Sequence, residues 1–132
     1  MITIHHMCIT TNKYQESLKF YTEILGFKKI KETKGFHLRS YSCWLALKNI
    51  KIELQTPKSN EKCVPFRKDS LGIVHCAFIV KNIENFHEKL KKRGFVNFII
   101  KDGKEIYTVC GEKLMKIVAP EGTIIELRET DI

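Results

Sequence analysis

Two histidines and two glutamates stand at matched places in this 132-residue chain, each inside a run of residues that favours burial. His6 lies in Ile4–Thr10, a stretch rich in β-branched residues, and His75 lies in Val74-His75-Cys76-Ala77-Phe78. Glu53 is enclosed by Ile52 and Leu54, and Glu126 by Ile125 and Leu127. A carboxylate buried in a sheet costs several kcal/mol unless something cationic neutralises it. Strand alternation puts each glutamate on the face opposite its apolar neighbours, so one reading is a plain solvated sheet surface. The other is a metal site. Two neutral imidazoles and two carboxylates form a nitrogen and oxygen donor set suited to a divalent ion, with nickel, cobalt or zinc as first choices and manganese or iron(II) as further ones. Two carboxylates would neutralise the ion, and an octahedral sphere would leave two adjacent positions for water or a chelating substrate.

The elements that must position these residues come in two copies. HMCITTNKYQESLKFYTEILGF, from His6, aligns with HCAFIVKNIENFHEKLKKRGF, from His75. Each starts with a histidine in a short apolar run, passes an Asn, enters an amphipathic segment and ends in Gly-Phe. A second match follows in Ile52-Glu53-Leu54-Gln55 and Ile125-Glu126-Leu127-Arg128, with His-to-Glu intervals of 47 and 51 positions.

In the first copy, Ile4–Thr10 reads as a strand. Asn12 is expected to cap a helix with Gln15 completing a capping box, and Tyr14, Leu18, Tyr21 and Leu25 to form its buried stripe. Gly26 ends it. Strand-like runs follow at 27–31, 41–47 and 51–55. In the second copy Asn82 caps, Ile83, Phe86 and Leu90 form the stripe, and Gly94 ends the helix. Strands are expected at 96–100, 106–109, 114–118 and 123–127, with turns at Lys101-Asp102-Gly103 and Pro120-Glu121-Gly122. Each copy is thus a βαβββ module in an α+β fold, 1–56 and 72–132, joined by a polar linker at 57–71 broken by Pro57 and Pro65. If the two sheets form one concave surface, His6, Glu53, His75 and Glu126 face a common centre.

At these residues the sequence resembles the vicinal oxygen chelate superfamily, also called the glyoxalase/bleomycin-resistance/dioxygenase fold. The resemblance rests on His6-Met7-Cys8-Ile9 followed by SLKFYTEILGF, on Val74–Phe78, and on Pro120-Glu121-Gly122-Thr123-Ile124-Ile125-Glu126-Leu127. It implies paired βαβββ modules around one metal, with His6, Glu53, His75 and Glu126 as ligands. Two His and two Glu in this order resemble glyoxalase I, which implies a lyase or isomerase acting on a 2-oxoaldehyde–thiol adduct or a similar small vicinal-oxygen substrate. Glu126 is then the expected base and Glu53 its partner across the substrate, with the metal stabilising an enediolate. The alternatives are a related enzyme (epimerase, antibiotic thiol transferase or dioxygenase) or a non-catalytic small-ligand or antibiotic-binding resistance protein. Thr10 and Pro57 stand where glutathione-dependent members usually carry Arg and Asn, a departure that points away from glutathione.

Composition narrows the partners. With 43% hydrophobic and 29% charged residues, the chain is an ordinary globular protein, without an apolar run long enough to cross a bilayer and without a recognisable secretory leader. Five cysteines, none in Cys-x-x-Cys spacing, read as reduced thiols in a cytoplasmic protein. A net charge of +8 favours a small anionic substrate. The basic clusters at Lys28, Lys29, Lys31, Lys34 and at Lys89, Lys91, Lys92, Arg93 lack interleaved aromatics, so neither nucleic acid nor membrane is expected as a partner. A homodimer is. His5 is expected to point away from His6, and His37 and His87 to lie on a loop and a helix surface. Trp44 and Phe36 read as core or interface residues, and Tyr107 as one within reach of a substrate.

Overall fold

A computed structural model of the chain, which describes residues 1–130, divides it into two units, Met1–Pro65 and Phe66–Ile132. The last two residues of the expected 72–132 module lie outside the described residues. Each unit holds one four-stranded sheet.

In the first unit, β1 (Met7–Thr10) leads to α1 (Tyr14–Lys19), then β2 (Lys28–Phe36), β3 (Arg39–Leu47) and β4 (Ile50–Gln55). The sheet order is β1-β4-β3-β2, with β1 parallel to β4 and the remaining pairs antiparallel. Cys43, Leu45, Ile52 and Leu54 alternate with more polar residues, so one face carries the core. Tyr14, Phe20 and Tyr21 are buried with them, as is Phe27. Tyr14 also stacks on Tyr41 at 4.6 Å and donates from its hydroxyl to Glu32 Oε2 at 2.6 Å, tying α1 to β2. Burial, reinforced by that bond, holds the Tyr14 phenol protonated well above its ordinary range.

The second unit repeats the plan. β5 (Cys76–Ile79), α2 (Ile83–Lys92), β6 (Tyr107–Val109), β7 (Glu112–Val118) and β8 (Ile124–Arg128) form a sheet of order β5-β8-β7-β6, with β5 parallel to β8. Ile83 and Leu90 of α2 are buried together with Met115, Ile117, Ile125 and Leu127. Asn82 caps α2 as expected, its side chain accepting from the Asn85 N–H at 2.9 Å, and Gly94 takes the positive φ of 77° that ends the helix. The turns at Asp102-Gly103 and Glu121-Gly122 also form where expected. The α+β class and the two βαβββ patterns are those of the sequence reading.

Four local expectations are corrected. β1 begins at Met7 rather than Ile4, and its ladder to the parallel β4 starts at the Met7–Ile52 pair. Asn12 does not cap α1. The buried Thr11 hydroxyl accepts from the Lys13 N–H at 2.9 Å and bonds the Ser17 hydroxyl at 2.8 Å, so a local turn occupies the cap position. The buried stripe is Tyr14, Ser17, Phe20 and Tyr21, with Leu18 and Leu25 half-exposed. After Lys19 the helix widens through Phe20–Ile24, where the Leu25 N–H reaches back five residues to the Phe20 carbonyl at 3.2 Å, rotating the face away from simple helical spacing. Residues 96–100 do not form a strand. The Phe98 N–H closes a three-residue turn on the Val96 carbonyl, leaving only the Ile99–Lys116 and Val118–Asn97 bonds to β7.

Leu54 is fully enclosed in the first core, so Leu54→Ala is expected to cost about 2–5 kcal/mol. Asn82→Ala, which removes only a cap, should cost about 1 kcal/mol. Urea unfolding of both variants checks the order, and equal losses would contradict it.

Candidate metal centre

The parallel pairs place the singled-out residues. In the first unit Met7 lies opposite Ile52 and Cys8 opposite Glu53. His6 immediately precedes Met7, and Glu53 immediately follows its partner, so the two share the face that the core leaves free. His6 Nε2 lies 3.5 Å from Glu53 Oε2. In the second unit Cys76 lies opposite Ile125 and Ala77 opposite Glu126. The same offset puts His75 Nε2 3.9 Å from Glu126 Oε1. Both His–Glu pairs are therefore formed, at one register.

Their surroundings differ. Glu53 has Cys8 on one side and Trp44 on the other. The Trp44 ring stands 4.8 Å from His6 in an edge-on contact, and His5 Nδ1 lies 2.8 Å from His6 Nδ1. With its amide oriented so that both ends are paired, Gln55 donates to Glu53 Oε1 at 3.3 Å and accepts from Thr10 Oγ1 at 3.2 Å. Glu126 is only 8% exposed and lies between Ala77 and Lys116. Arg128 Nη1 stands 3.8 Å from Glu126 Oε2. Tyr107, on β6, is raised in pKa by burial first and then by the Glu126 charge.

Several readings of single residues change here. His5 does not point away from His6: their Nδ1 atoms lie 2.8 Å apart, because His5 stands two residues ahead of β1 and is not held in its pleat. Trp44 belongs to the Glu53 face rather than to the core, since its neighbours Cys43 and Leu45 take the buried side. His37 sits at the β2–β3 hairpin tip as expected. His87 is more than a surface residue: its Nε2 lies 2.8 Å from Glu105 Oε1, and its ring is 5.2 Å from Phe98. Gln55 and Arg128 were not among the candidates. The signal was present, since each follows a site glutamate by two positions and so shares its face.

Bonds of about 2.1 Å to a divalent ion set two donors about 3.0 Å apart when adjacent and about 4.2 Å when opposite. The observed separations of 3.5 and 3.9 Å both exceed the adjacent spacing, so each pair would have to draw closer to share one ion. Among the described residues no group of three or more His, Cys, Asp or Glu is gathered in either unit; the donors come as two pairs.

The sequence pattern of the Glyoxalase/Bleomycin resistance protein/Dioxygenase superfamily matches residues 3–109. The chain belongs to that superfamily. The uncharacterized protein YwkD of Bacillus subtilis (strain 168) is 33% identical over 94 residues, spanning 70% of this chain and 72% of that protein. A solved glyoxalase family protein from Enterococcus faecalis is 27% identical, with a TM-score of 0.76 over 96% of this chain and 97% of its own. The fosfomycin resistance protein FosX from Listeria monocytogenes, solved with Mn(II) and sulfate, shares the fold at 12% identity and a TM-score of 0.71, over 100% of this chain and 96% of its own.

Burial first, and then the Glu53 charge, push the Cys8 thiol upward, with Arg39 partly opposing them. Glu53→Gln removes a charge that disfavours the thiolate, so the thiol pKa should fall and alkylation of Cys8 at neutral pH should quicken a few-fold. Mass spectrometry of the Cys8 peptide reads this against exposed Cys63, and an unchanged rate would show that the carboxylate does not act on the thiol.

Proposed function

We propose that this protein is a divalent-metal-dependent lyase or isomerase of the glyoxalase type, acting on a small anionic substrate with vicinal oxygens. His6 and Glu53 of one unit and His75 and Glu126 of the other are its proposed metal ligands. The observation that carries the reading is the repeated offset: in both units a histidine one step before a paired strand residue meets a glutamate one step after that residue's partner. A solvated sheet face gives no reason for such a repeat.

When bound, a divalent ion such as nickel, cobalt, zinc, manganese or iron(II) would polarise the substrate carbonyl and make the neighbouring C–H acidic. Glu126 is the proposed base that takes this proton. It is the more enclosed carboxylate, with 10% of its side chain exposed against 25% for Glu53, so water competes less for its oxygens. Glu53, steadied by the Gln55 amide, is its proposed partner in returning the proton to the adjacent carbon. Lys116 and Arg128 on the Glu126 face, with the net charge of +8, support an anionic substrate. Because Thr10 and Pro57 occupy positions where glutathione-dependent enzymes usually carry Arg and Asn, the substrate is proposed to be an adduct of another thiol or a comparable small molecule. A homodimer is the proposed assembly.

Metal analysis of the purified protein and of a His6→Ala, Glu126→Ala double variant tests the ligands, with bound metal expected in the parent and lost in the variant. Turnover on hemithioacetals made from several thiols tests the reaction. Glu126→Gln should retain metal and lose activity by about 10²–10⁴-fold. A parent that takes up no divalent ion would overturn the metal reading, and a metal-saturated Glu126→Gln with full activity would remove Glu126 as base. Mixing singly substituted His6→Ala and Glu126→Ala chains shows how the donors combine: regained metal uptake marks sites shared between copies, and none marks sites within one chain.

A further inference from the structure

The duplication supplies an internal control for one side chain. Gln55 and Arg128 occupy the same place in the two units, two positions after the site glutamate and at the far end of the parallel ladder. Gln55 lies opposite Thr10, whose hydroxyl bonds it, and beside Ser42 on β3. Arg128 lies opposite Ile79 and beside Leu114, and neither apolar side chain offers an acceptor. Among the described residues its buried Nε has no hydrogen-bond partner, and its Nη1 stands 3.8 Å from Glu126 Oε2, beyond hydrogen-bond reach. Glu126 offsets part of the guanidinium's charge, but the buried Nε–H is left without the hydrogen bond that a sheltered donor requires. A quarter of the side chain remains open, and Lys116, directly opposite Glu126, adds a second cation to the same face.

We propose that Arg128, with Lys116 beside it, receives a carboxylate of the substrate next to Glu126. A planar carboxylate is the ligand this site lacks: it presents two acceptor oxygens to the side-on edge of a guanidinium, which an ammonium cannot match in geometry. A small rotation of the guanidinium brings Nε–H and Nη–H together onto those oxygens. Arg128 is then a specificity residue that fixes which end of the substrate lies at Glu126, and it takes no proton itself. The inference rests on the proposed function only for the molecule to which the carboxylate belongs.

The test is a titration of the metal-free protein with sodium acetate, followed through the Arg128 Nε–H resonance in nitrogen-15 NMR, with acetamide as the neutral match and inorganic phosphate as the other oxyanion. Acetate is expected to shift that resonance saturably and acetamide to leave it in place. Arg128→Gln, confirmed as folded by circular dichroism and followed instead through the backbone amide resonance of Lys116 in both proteins, should bind acetate about tenfold more weakly. An unmoved resonance, equal binding by Arg128→Gln, or a shift with phosphate but not acetate would each overturn the assignment. Because no metal is present, a failure here is separable from a failure of the proposed function, which is read by metal uptake.

Discussion

Parallel pairing of the first and last strand in each unit is the constraint on which the site depends. A parallel pair fixes the relative height of two segments that are far apart in sequence, and side chains within a pair of positions of one another meet on a common face. With Met7 opposite Ile52 and Cys76 opposite Ile125, a histidine just outside the ladder and a glutamate just inside it come within 4 Å in both copies. A slip of one residue in either ladder would turn the glutamate into the core and Ile52 or Ile125 out of it. The buried aliphatic residues therefore protect the register as well as the fold: the leucine that follows each glutamate, Leu54 and Leu127, is almost wholly enclosed.

Within this shared frame the two glutamates have acquired different company. Glu53 is flanked by a thiol, an indole and an amide that donates to it. Glu126 is flanked by a methyl group, an ammonium and a guanidinium. A carboxylate that accepts a fixed hydrogen bond is held in one orientation, whereas one facing cations beyond hydrogen-bond reach is attracted without being locked. Duplication supplied two equal donor pairs, and divergence at the neighbouring strand positions made the two faces chemically unequal.

How much of this was legible in sequence follows from which signals are local. The βαβββ order and the Asn82 cap are carried by residues close in the chain, and they hold. Asn12 looked like a cap of equal quality, but Thr11 is buried and takes the turn for itself, which depends on tertiary packing. The widened turn at Phe20–Ile24 leaves no simple trace in apolar spacing. The β2–β3 hairpin is closed by His37 and Leu38, both at positive φ, where sequence rules look for Asn-Gly. His5 was misplaced because it precedes β1, and Trp44 because apolar character does not say which face of β3 it takes once Cys43 and Leu45 hold the core. Gln55 and Arg128 were legible in principle through alternation, but only once the glutamates were assigned to a face.

The net charge of +8 also resolves into separate causes. Lys28, Lys29, Lys31 and Lys34 lie exposed on β2, the outer strand of its sheet, where lysines discourage pairing with a foreign strand. Lys89, Lys91 and Lys92 fill the last turn of α2, where cations complement the helix dipole, and Lys91 is further bound to Glu105 at 2.8 Å. Each group answers a local need of its own element. Lys116 and Arg128 answer another local need: they flank the nearly enclosed Glu126 and offset the cost of burying its carboxylate. Two cations around one carboxylate leave this face with positive charge in excess, which favours an anion arriving beside Glu126.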